Sequence, residues 1–469
     1  MSRLSMIRDA TKRLYPWVPA MVQDGLLSAY FVAKARRLHG AAFRRRLAAL
    51  TESEHFDAAG LAGGQALALA AMLEAAAHAP YYRRLFAERG LDPRALRTPA
   101  DLALLPLLEK ESVRRAGDQF VDARLDRRLL LSARTSGTTG TPLQIYFTPE
   151  FEAAEEAFLA RQWLWANCPL AARRVKLRED VVVVGEHPRR PYRWNLALRE
   201  LRTSSFHLSP DTVAAYVAAI RRFRPLALVG WPSTAGTLAT LMHEQGLECR
   251  IPFVFTSSEN LSRSRRELLA RAFGAQVFDH YGLTEGVVAI QQCERGSYHI
   301  IPEYGIVELL PVAGDHSGEL REIVATGLLN RAMPLLRYRT GDHVRVKAGA
   351  RCDCARAFPV VEEIVGRDCD LLMAASGARV PAADIALANL EGVRESQIVQ
   401  EEDGRISVQL VPGVDYLEAM SERVRREVRF LVGELPIEVK LTSAIPREAS
   451  GKFRSVISRC RPRPGRSPS

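Results

Sequence analysis

Hydrophobic and polar positions change their spacing three times along this chain. As far as about residue 125 the spacing is helical, and residues 66–77 form a run of strong helix formers that Pro80 ends. From 175 to 285 short β-branched runs alternate with helices. Val181-Val182-Val183-Val184 reads as a buried strand, and residues 211–224 as a helix with Ser209 at the N-cap and Pro210 at the first position. Val213, Val217 and Ile220 line one face of that helix, and Pro225 stops it. A strand at 226–229, a helix near 234–245, a strand at 253–255, a Ser262-capped helix to Phe273 and a strand at 276–278 follow. This βαβα order predicts a parallel sheet with helices on its faces, and ligands of such sheets gather at the carboxyl ends of the strands. The loops after 229, 255 and 278 are the candidates. Between 300 and 350 the helices disappear, and Gly305, Gly314, Gly318, Gly327 and Gly341 punctuate short strands. Past Gly366 a small α+β unit begins. Its hairpin, 397–401 with 405–411, turns on Asp403-Gly404, and a helix near 415–432 and a strand at 435–441 follow. The fold class expected is α/β: a large N-terminal domain of parallel sheets flanked by helices, with a strand-rich subdomain, and a small α+β C-terminal domain.

Composition narrows the function classes. At 469 residues, two or three domains are the natural expectation, and 47% hydrophobic with 7% aromatic content describes an ordinary globular protein. The net charge of +11 resembles a nucleic-acid signal until it is located: residues 1–50 carry +8 and residues 452–469 carry +6, which leaves −3 for the body. No nucleic-acid partner is expected. Arg36-Arg37 and Arg44-Arg45-Arg46 read as solvated helix faces, with an acidic partner or membrane surface as the other reading. Seven cysteines, odd in number and unevenly spaced, do not form a secreted disulfide framework. Neither a signal peptide nor a membrane span is expected, so the expected compartment is the cytoplasm. The Pro/Arg/Ser-rich end, 457–469, is expected to be a disordered basic tail.

The candidate chemistry begins at Arg134-Thr135-Ser136-Gly137-Thr138-Thr139-Gly140-Thr141-Pro142, between an apolar run at 129–131 and Gln144-Ile145-Tyr146-Phe147. Glycines let backbone N–H groups converge on an anion, and hydroxyls add donors, so the string reads as a phosphate cradle. A Ser/Thr/Gly linker has the same composition. It is not a Walker A loop, because Gly140 is followed by Thr141-Pro142 and not by Lys-Ser/Thr. Three further loops join it: Asp279-His280-Tyr281-Gly282-Leu283-Thr284-Glu285, Tyr338-Arg339-Thr340-Gly341-Asp342, and Ile445-Pro446-Arg447-Glu448-Ala449-Ser450-Gly451-Lys452. Singly, each is what a turn or a surface lysine looks like.

In this order and at these separations the four loops resemble the adenylate-forming ligases, most closely the phenylacetate–CoA ligase and capsule-biosynthesis-protein branch. The resemblance spans residues 78–456 and includes Pro80-Tyr81-Tyr82-Arg83, Leu105-Pro106-Leu107-Leu108-Glu109-Lys110, Trp231-Pro232-Ser233, Thr256-Ser257-Ser258-Glu259-Asn260-Leu261 and Val365-Gly366-Arg367. It implies domains at 1–125 (helical part of the large domain), 126–366 (ATP- and acid-binding core) and 367–456 (small mobile domain with a catalytic lysine). It implies ATP and Mg²⁺, with Thr135, Ser136, Gly137, Thr138, Thr139, Gly140 and Thr141 on the phosphates and Glu285, beside Thr284, as the Mg²⁺ carboxylate. Asp342 would bind the ribose hydroxyls, with Arg367 beside them. Ser257, Ser258, Glu259, Asp279, Tyr281 and Gly282 would border the nucleotide, and Lys452 would be the point charge on the reacting oxygens. Trp231, Pro232 and Ser233 would help line the pocket of a small carboxylic acid, aromatic or aliphatic.

Two departures matter. Cys369 stands where the family usually has an aspartate at the interdomain hinge, between Asp368 and Asp370, and this puts the second half-reaction in question. Cys293, His299, Cys352 and Cys354 offer a Cys₃His set suited to tetrahedral Zn²⁺, which members of the branch also carry; ordinary buried cysteines are the other reading. The activity expected is acyl-AMP formation followed by transfer to CoA. The alternatives are transfer to an amine or a carrier-protein thiol, and a silent nucleotide-binding scaffold.

Overall fold

A computed structural model describes residues 20–135, 142–178, 190–315, 317–367, 371–381, 392–447 and 453–460. Strands β1 (Leu131–Arg134) and β2 (Gln144–Phe147) form an antiparallel hairpin, so residues 136–141 join its two arms. The expected strand at 181–184, the segment 136–141, Asp368, Cys369, Asp370, Lys452 and the tail beyond 460 lie outside the described residues.

The βαβα region builds most of a nine-stranded sheet. It contains β3 (Arg174–Arg178), β4 (Tyr192–Asn195), β5 (Glu200–Ser204), β6 (Ala227–Gly230), β7 (Phe253–Ser257), β8 (Gln276–Gly282), β9 (Ala289–Gln292) and β10 (Tyr298–Ile300). Its centre, β5-β3-β6-β7-β8, is parallel as expected, whereas β4, β9 and β10 are antiparallel to their neighbours. The strand-rich subdomain is β11 (Gly305–Pro311), β12 (Leu320–Gly327), β13 (Tyr338–Arg345) and β15 (Glu363–Arg367), antiparallel in that order, and β14 (Val360–Val361) returns to the edge of the large sheet beside β10. The small unit holds the pair β16 (Leu371–Met373) and β17 (Arg379–Pro381). Its sheet is β18 (Val393–Gln400), β19 (Ile406–Pro412), β20 (Ile437–Leu441) and β21 (Val456–Ser458). The last strand carries the folded chain past the expected boundary at 456.

The helices are α1 (Ala20–Leu38), α2 (Ala41–Ser53), α3 (Ala58–His78), α4 (Pro80–Arg89), α5 (Lys110–Ala116), α6 (Pro149–Trp165), α7 (Val213–Phe223), α8 (Pro232–Glu244), α9 (Arg263–Phe273) and α10 (Ala419–Val432). On α7, Val213, Val217 and Ile220 pack with Leu238 and Leu241 of α8 and Leu269 and Phe273 of α9 over β3, β6 and β7. A buried leucine there contributes about 1.5–3 kcal/mol relative to an exposed one. Across the sheet, Trp163 of α6 stacks on Phe255 at 4.6 Å with planes 7° apart. The α7 helix starts at Val213 and not at 211, because the Thr212 hydroxyl bonds the carbonyls of His207 and Ser209 and holds the preceding residues in a turn. Ser262 caps α9 as expected, its hydroxyl accepting from the Arg265 amide. Pro80 ends α3 but also begins α4, at whose first turn its missing N–H costs nothing.

Two loop assignments are corrected. Residues 279–282 lie inside β8, which pairs with β7 on one side and β9 on the other, and residues 338–342 lie inside β13. The expectation that no segment fits a membrane span is corrected as well, since α3 is long and apolar enough by length and composition. Its Leu69, Met72, Leu73 and Ala76 are buried against Tyr82, Phe120, Leu336 and Tyr338, so that stripe belongs to the core.

Candidate active site

The carboxyl ends of β7 and β8 meet the strand-rich subdomain, where Asn260 donates to the Val365 carbonyl at 3.2 Å and Tyr281 reaches β13, and the junction gathers charged side chains from distant segments. Asp342 on β13 lies opposite Arg367 on β15. The buried Asp342 accepts a hydrogen bond from the Tyr281 hydroxyl at 2.8 Å and one from Arg367 Nε at 3.3 Å. Burial and the Asp342 carboxylate hold the Tyr281 hydroxyl far above its ordinary titration range, so it stays a donor. Tyr281 therefore bridges the two sheets.

Glu285 follows β8 in a turn and is 4% exposed. Its Oε1 accepts from the Tyr338 hydroxyl at 2.9 Å and from Lys110 Nζ at 3.2 Å. Lys110 opens α5, and its segment is held by the bridge of Leu108 to Tyr338. A cation thus reaches Glu285 from 175 positions away in the chain. In the sequence this lysine ends the segment Leu105-Pro106-Leu107-Leu108-Glu109-Lys110, and no role attaches to it there. Nothing local announces one, because the partner is set by the packing of α5 on β13. Thr284 beside Glu285 is exposed.

Thr135 is committed at the base of the 136–141 segment. Its amide donates to the Leu143 carbonyl at 2.9 Å, and its hydroxyl accepts from the Leu143 amide at 3.0 Å. Ser136, Gly137, Thr138, Thr139, Gly140 and Thr141 are outside the described residues, so what the structure supplies is the hairpin that carries them.

The residues expected around the nucleotide and acid divide into those that line the strand ends and those committed inside. Ser258 is exposed at φ +72°, a left-handed conformation that L side chains rarely adopt, and it turns the chain after β7 so that Glu259 points at α8. Glu259 accepts from the Ser233 amide and hydroxyl, both at 2.9 Å, and from the Phe453 amide of the small domain at 3.1 Å. Trp231 and Pro232 are buried at the start of α8, whereas Ser257 lies 3.5 Å from Arg178. Asp279 turns away from the strand ends. Its carboxylate accepts from Thr256 at 2.6 Å and Tyr298 at 3.0 Å, so both oxygens are engaged in the interior, and burial pushes the carboxyl up. Gly282 packs on His280, whose Nε2 would lie 3.0 Å from an added Cβ. Burial, with Arg178 adding to it, pushes His280 down to about 4.

Cys293, His299, Cys352 and Cys354 converge, with all four ligand atoms within 4.8 Å of one another. Cys293 and Cys352 sulfurs are 3.6 Å apart, and Cys354 Sγ is 3.3 Å from His299 Nε2. A tetrahedral ion with Zn–S near 2.3 Å and Zn–N near 2.0 Å requires edges of about 3.8 and 3.5 Å, so the donor set fits zinc. His299 Nδ1 lies 3.3 Å from the Phe358 carbonyl, an arrangement that reserves Nε2 for a metal. The site joins the β9–β10 hairpin to the 352–358 segment.

Comparison with known proteins agrees with this architecture. The CapK C-terminal domain family matches residues 372–459. Protein CapK of Staphylococcus aureus is 22% identical over 387 residues, 81% of this chain and 84% of that protein. A phenylacetate-coenzyme A ligase of Thermus thermophilus is 26% identical over 417 residues, covering 81% and 92%. The crystal structure of 2-hydroxyisobutyryl-CoA ligase in its postadenylation state, complexed with R3-HIB-AMP, superposes with a TM-score of 0.68 at 20% identity, over 87% of this chain and 91% of that one. The same ligase in its thioesterification state, with 2-HIB-AMP and CoA, gives a TM-score of 0.55 at 22% identity, over 87% of this chain and 91% of that one. The chain therefore has CapK and the phenylacetate-coenzyme A ligases among its relatives and shares the fold of 2-hydroxyisobutyryl-CoA ligase, with a small domain that matches the CapK C-terminal family.

Proposed function

We propose that the protein is an ATP-dependent carboxylic acid ligase that forms acyl-AMP with release of pyrophosphate and then an acyl-CoA thioester. The observation that carries this reading is the pairing of two separate clusters at the junction of the sheets: Glu285 with Tyr338 and Lys110, and Asp342 with Tyr281 and Arg367. In the first half-reaction a carboxylate oxygen attacks the α-phosphorus and the bond to the pyrophosphate oxygen breaks. Charge builds on phosphoryl and bridging oxygens, so the protein's task is position and opposite charge. Asp342 accepts the ribose hydroxyls, with Arg367 as the neighbouring donor. Lys110 supplies a cation on the phosphate side, where the loop at 135–141 has hydroxyls and amides but no lysine, and Lys452 supplies the second from the small domain. Glu285 is the hard carboxylate that would hold Mg²⁺, which supplies charge neutralisation when bound with the nucleotide. Ser257, Ser258 and the backbone at Asp279 and Gly282 border the base, and Trp231, Pro232 and Ser233 the acid. Zinc at Cys293, His299, Cys352 and Cys354 is structural. Thiols that are all free among the described residues suit the cytoplasm.

Acid-dependent exchange of labelled pyrophosphate into ATP tests the first half-reaction over a panel of acids, with phenylacetate tried first. CoA-dependent thioester formation tests the second. Exchange with no acid overturns the reading. Exchange without a CoA product transfers the acceptor role to an amine or a carrier-protein thiol.

A further inference from the structure

Glu259 lies where the first turn of α8, the turn after β7 and the small domain meet. Both donors of Ser233, in the first turn of α8, end on its carboxylate. The third donor is the amide of Phe453, 194 positions away in the chain and next to Lys452. Around this carboxylate is a frame of alternating charge. Arg265 of α9 is 8% exposed and lies across Gly236 of α8, where an added Cβ would sit 2.1 Å from its Nη1. It faces both Glu259 and Glu395, the latter on β18 of the small domain. Arg447 pairs with Glu395, and its guanidinium lies 4.5 Å from the Phe453 ring. A second tie joins the same two elements further along, with Arg394 Nε 2.7 Å from Glu244 at the carboxyl end of α8. Burial pushes the carboxyls of Glu259 and Glu395 up, and the facing arginines work against that rise.

We propose that Glu259 is a positioning residue of the adenylation step, its carboxylate fastening the segment that follows Lys452 to the first turn of the acid-pocket helix, with Arg265, Glu395 and Arg447 as the charge frame. This rests on the ligase reading above. A residue that served only the fold would hold Ser233 and stop there. Glu259 also takes an amide from the other domain, so its ionised form is complete only when the small domain is docked. The contact belongs to the docked arrangement and has to break when that domain moves, so its removal weakens the lysine-dependent half-reaction and spares the other. Ser233 receives the same carboxylate, and through it the state of the acid pocket reaches the lysine segment.

The test compares half-reactions in the full-length protein, with the panel acid that the wild type uses fastest and its synthetic adenylate. Glu259→Gln keeps the shape and removes the charge; hydrogen bonds to charged groups contribute about 1.5–3 kcal/mol, so pyrophosphate exchange falls roughly 10–100-fold. Thioester formation from the supplied adenylate and CoA changes less than about 2-fold on the same argument, because no lysine charge enters that step. Gly236→Ala, which displaces the Arg265 guanidinium without touching either carboxylate, gives the same selective loss and serves if Glu259→Gln fails to fold. Equal loss in both half-reactions, or undiminished exchange, overturns the proposal. A wild type without exchange for any acid overturns the ligase reading itself, which is a separate result.

Discussion

Lys110→Met tests whether a cation delivered from outside the glycine-rich segment does the work of the absent Walker lysine. The ammonium lies 3.2 Å from Glu285 Oε1, with side-chain exposures of 30% and 5%. Two unit charges at that separation attract by roughly 1 kcal/mol in a water-like medium and about 5 kcal/mol at an effective dielectric of 20. A half-shielded lysine against a buried carboxylate falls between, at about 2–3 kcal/mol, or roughly 30–150-fold in an equilibrium or rate. Methionine keeps the apolar stem and removes the charge. With the nucleotide bound, that charge faces phosphate oxygens, so kcat/KM for ATP falls by about this factor while KM for the acid holds. With Lys110 gone, Glu285 has no competing cation, so half-maximal activity is reached at lower Mg²⁺. The assay is pyrophosphate exchange titrated separately in ATP, acid and Mg²⁺, with far-UV circular dichroism checking the fold. Unchanged kcat/KM for ATP, or a higher Mg²⁺ requirement, would refute the reasoning.

Four further outcomes follow from the same geometry. Purified protein carries about one zinc per chain, and Cys354→Ser loses it with a drop in Tm, as expected where metal binding is folding energy; metal analysis below about 0.5 equivalent, with Tm indifferent to chelator, contradicts the site. Asp342→Asn raises KM for ATP about 10-fold, and Tyr281→Phe moves it in the same direction by less, because the 2.8 Å bond orients the carboxylate; steady-state kinetics with ATP varied checks both. Lys452→Ala lowers adenylation by roughly 10²–10³-fold, as for one preorganised charge, and exchange at the wild-type rate would remove it from the mechanism. His280 is pushed down to about 4 from 6.5, so the unfolded chain takes up its proton first. Stability on its account is full above pH 7 and falls as pH drops from 6.5 towards 4. His280→Asn flattens that acid limb in thermal melts at pH 4–7, and an unchanged limb would show that another group causes it.

What could be read along the chain was what depends on near neighbours. The apolar face of α7, the Ser262 cap of α9 and the hairpin at 393–412 follow from spacing and turn chemistry, and they formed nearly where expected. The error of two residues at the start of α7 came from Thr212, whose hydroxyl had two carbonyls to choose from. Asp279 illustrates the other kind of difficulty. It belongs to the same motif as Tyr281 and Glu285 and shares a strand face with Tyr281, yet its carboxylate is taken up by the Thr256 and Tyr298 hydroxyls, partners on β7 and β10 that the motif does not announce. The link of Lys110 to Glu285 was hidden for a different reason, since it depends on which helix packs on which sheet. Metal-ligand chemistry was legible as residue types, but only the pairing of β10 with β9 and β14 brought the four donors within reach of one ion.

The two ties along α8 have a mechanical consequence. Glu259, on Ser233, holds Phe453 at the start of the helix and Glu244 holds Arg394 at its end, and the helical rise from Ser233 to Glu244 sets these anchors roughly 16 Å apart. With Arg265 of α9 facing Glu395 of β18 as well, the small domain is seated on this face of the core by three separate contacts. Loss of the Phe453 tie alone therefore loosens the segment that carries Phe453 while the contacts at Glu395 and Arg394 keep the rest of the domain in place.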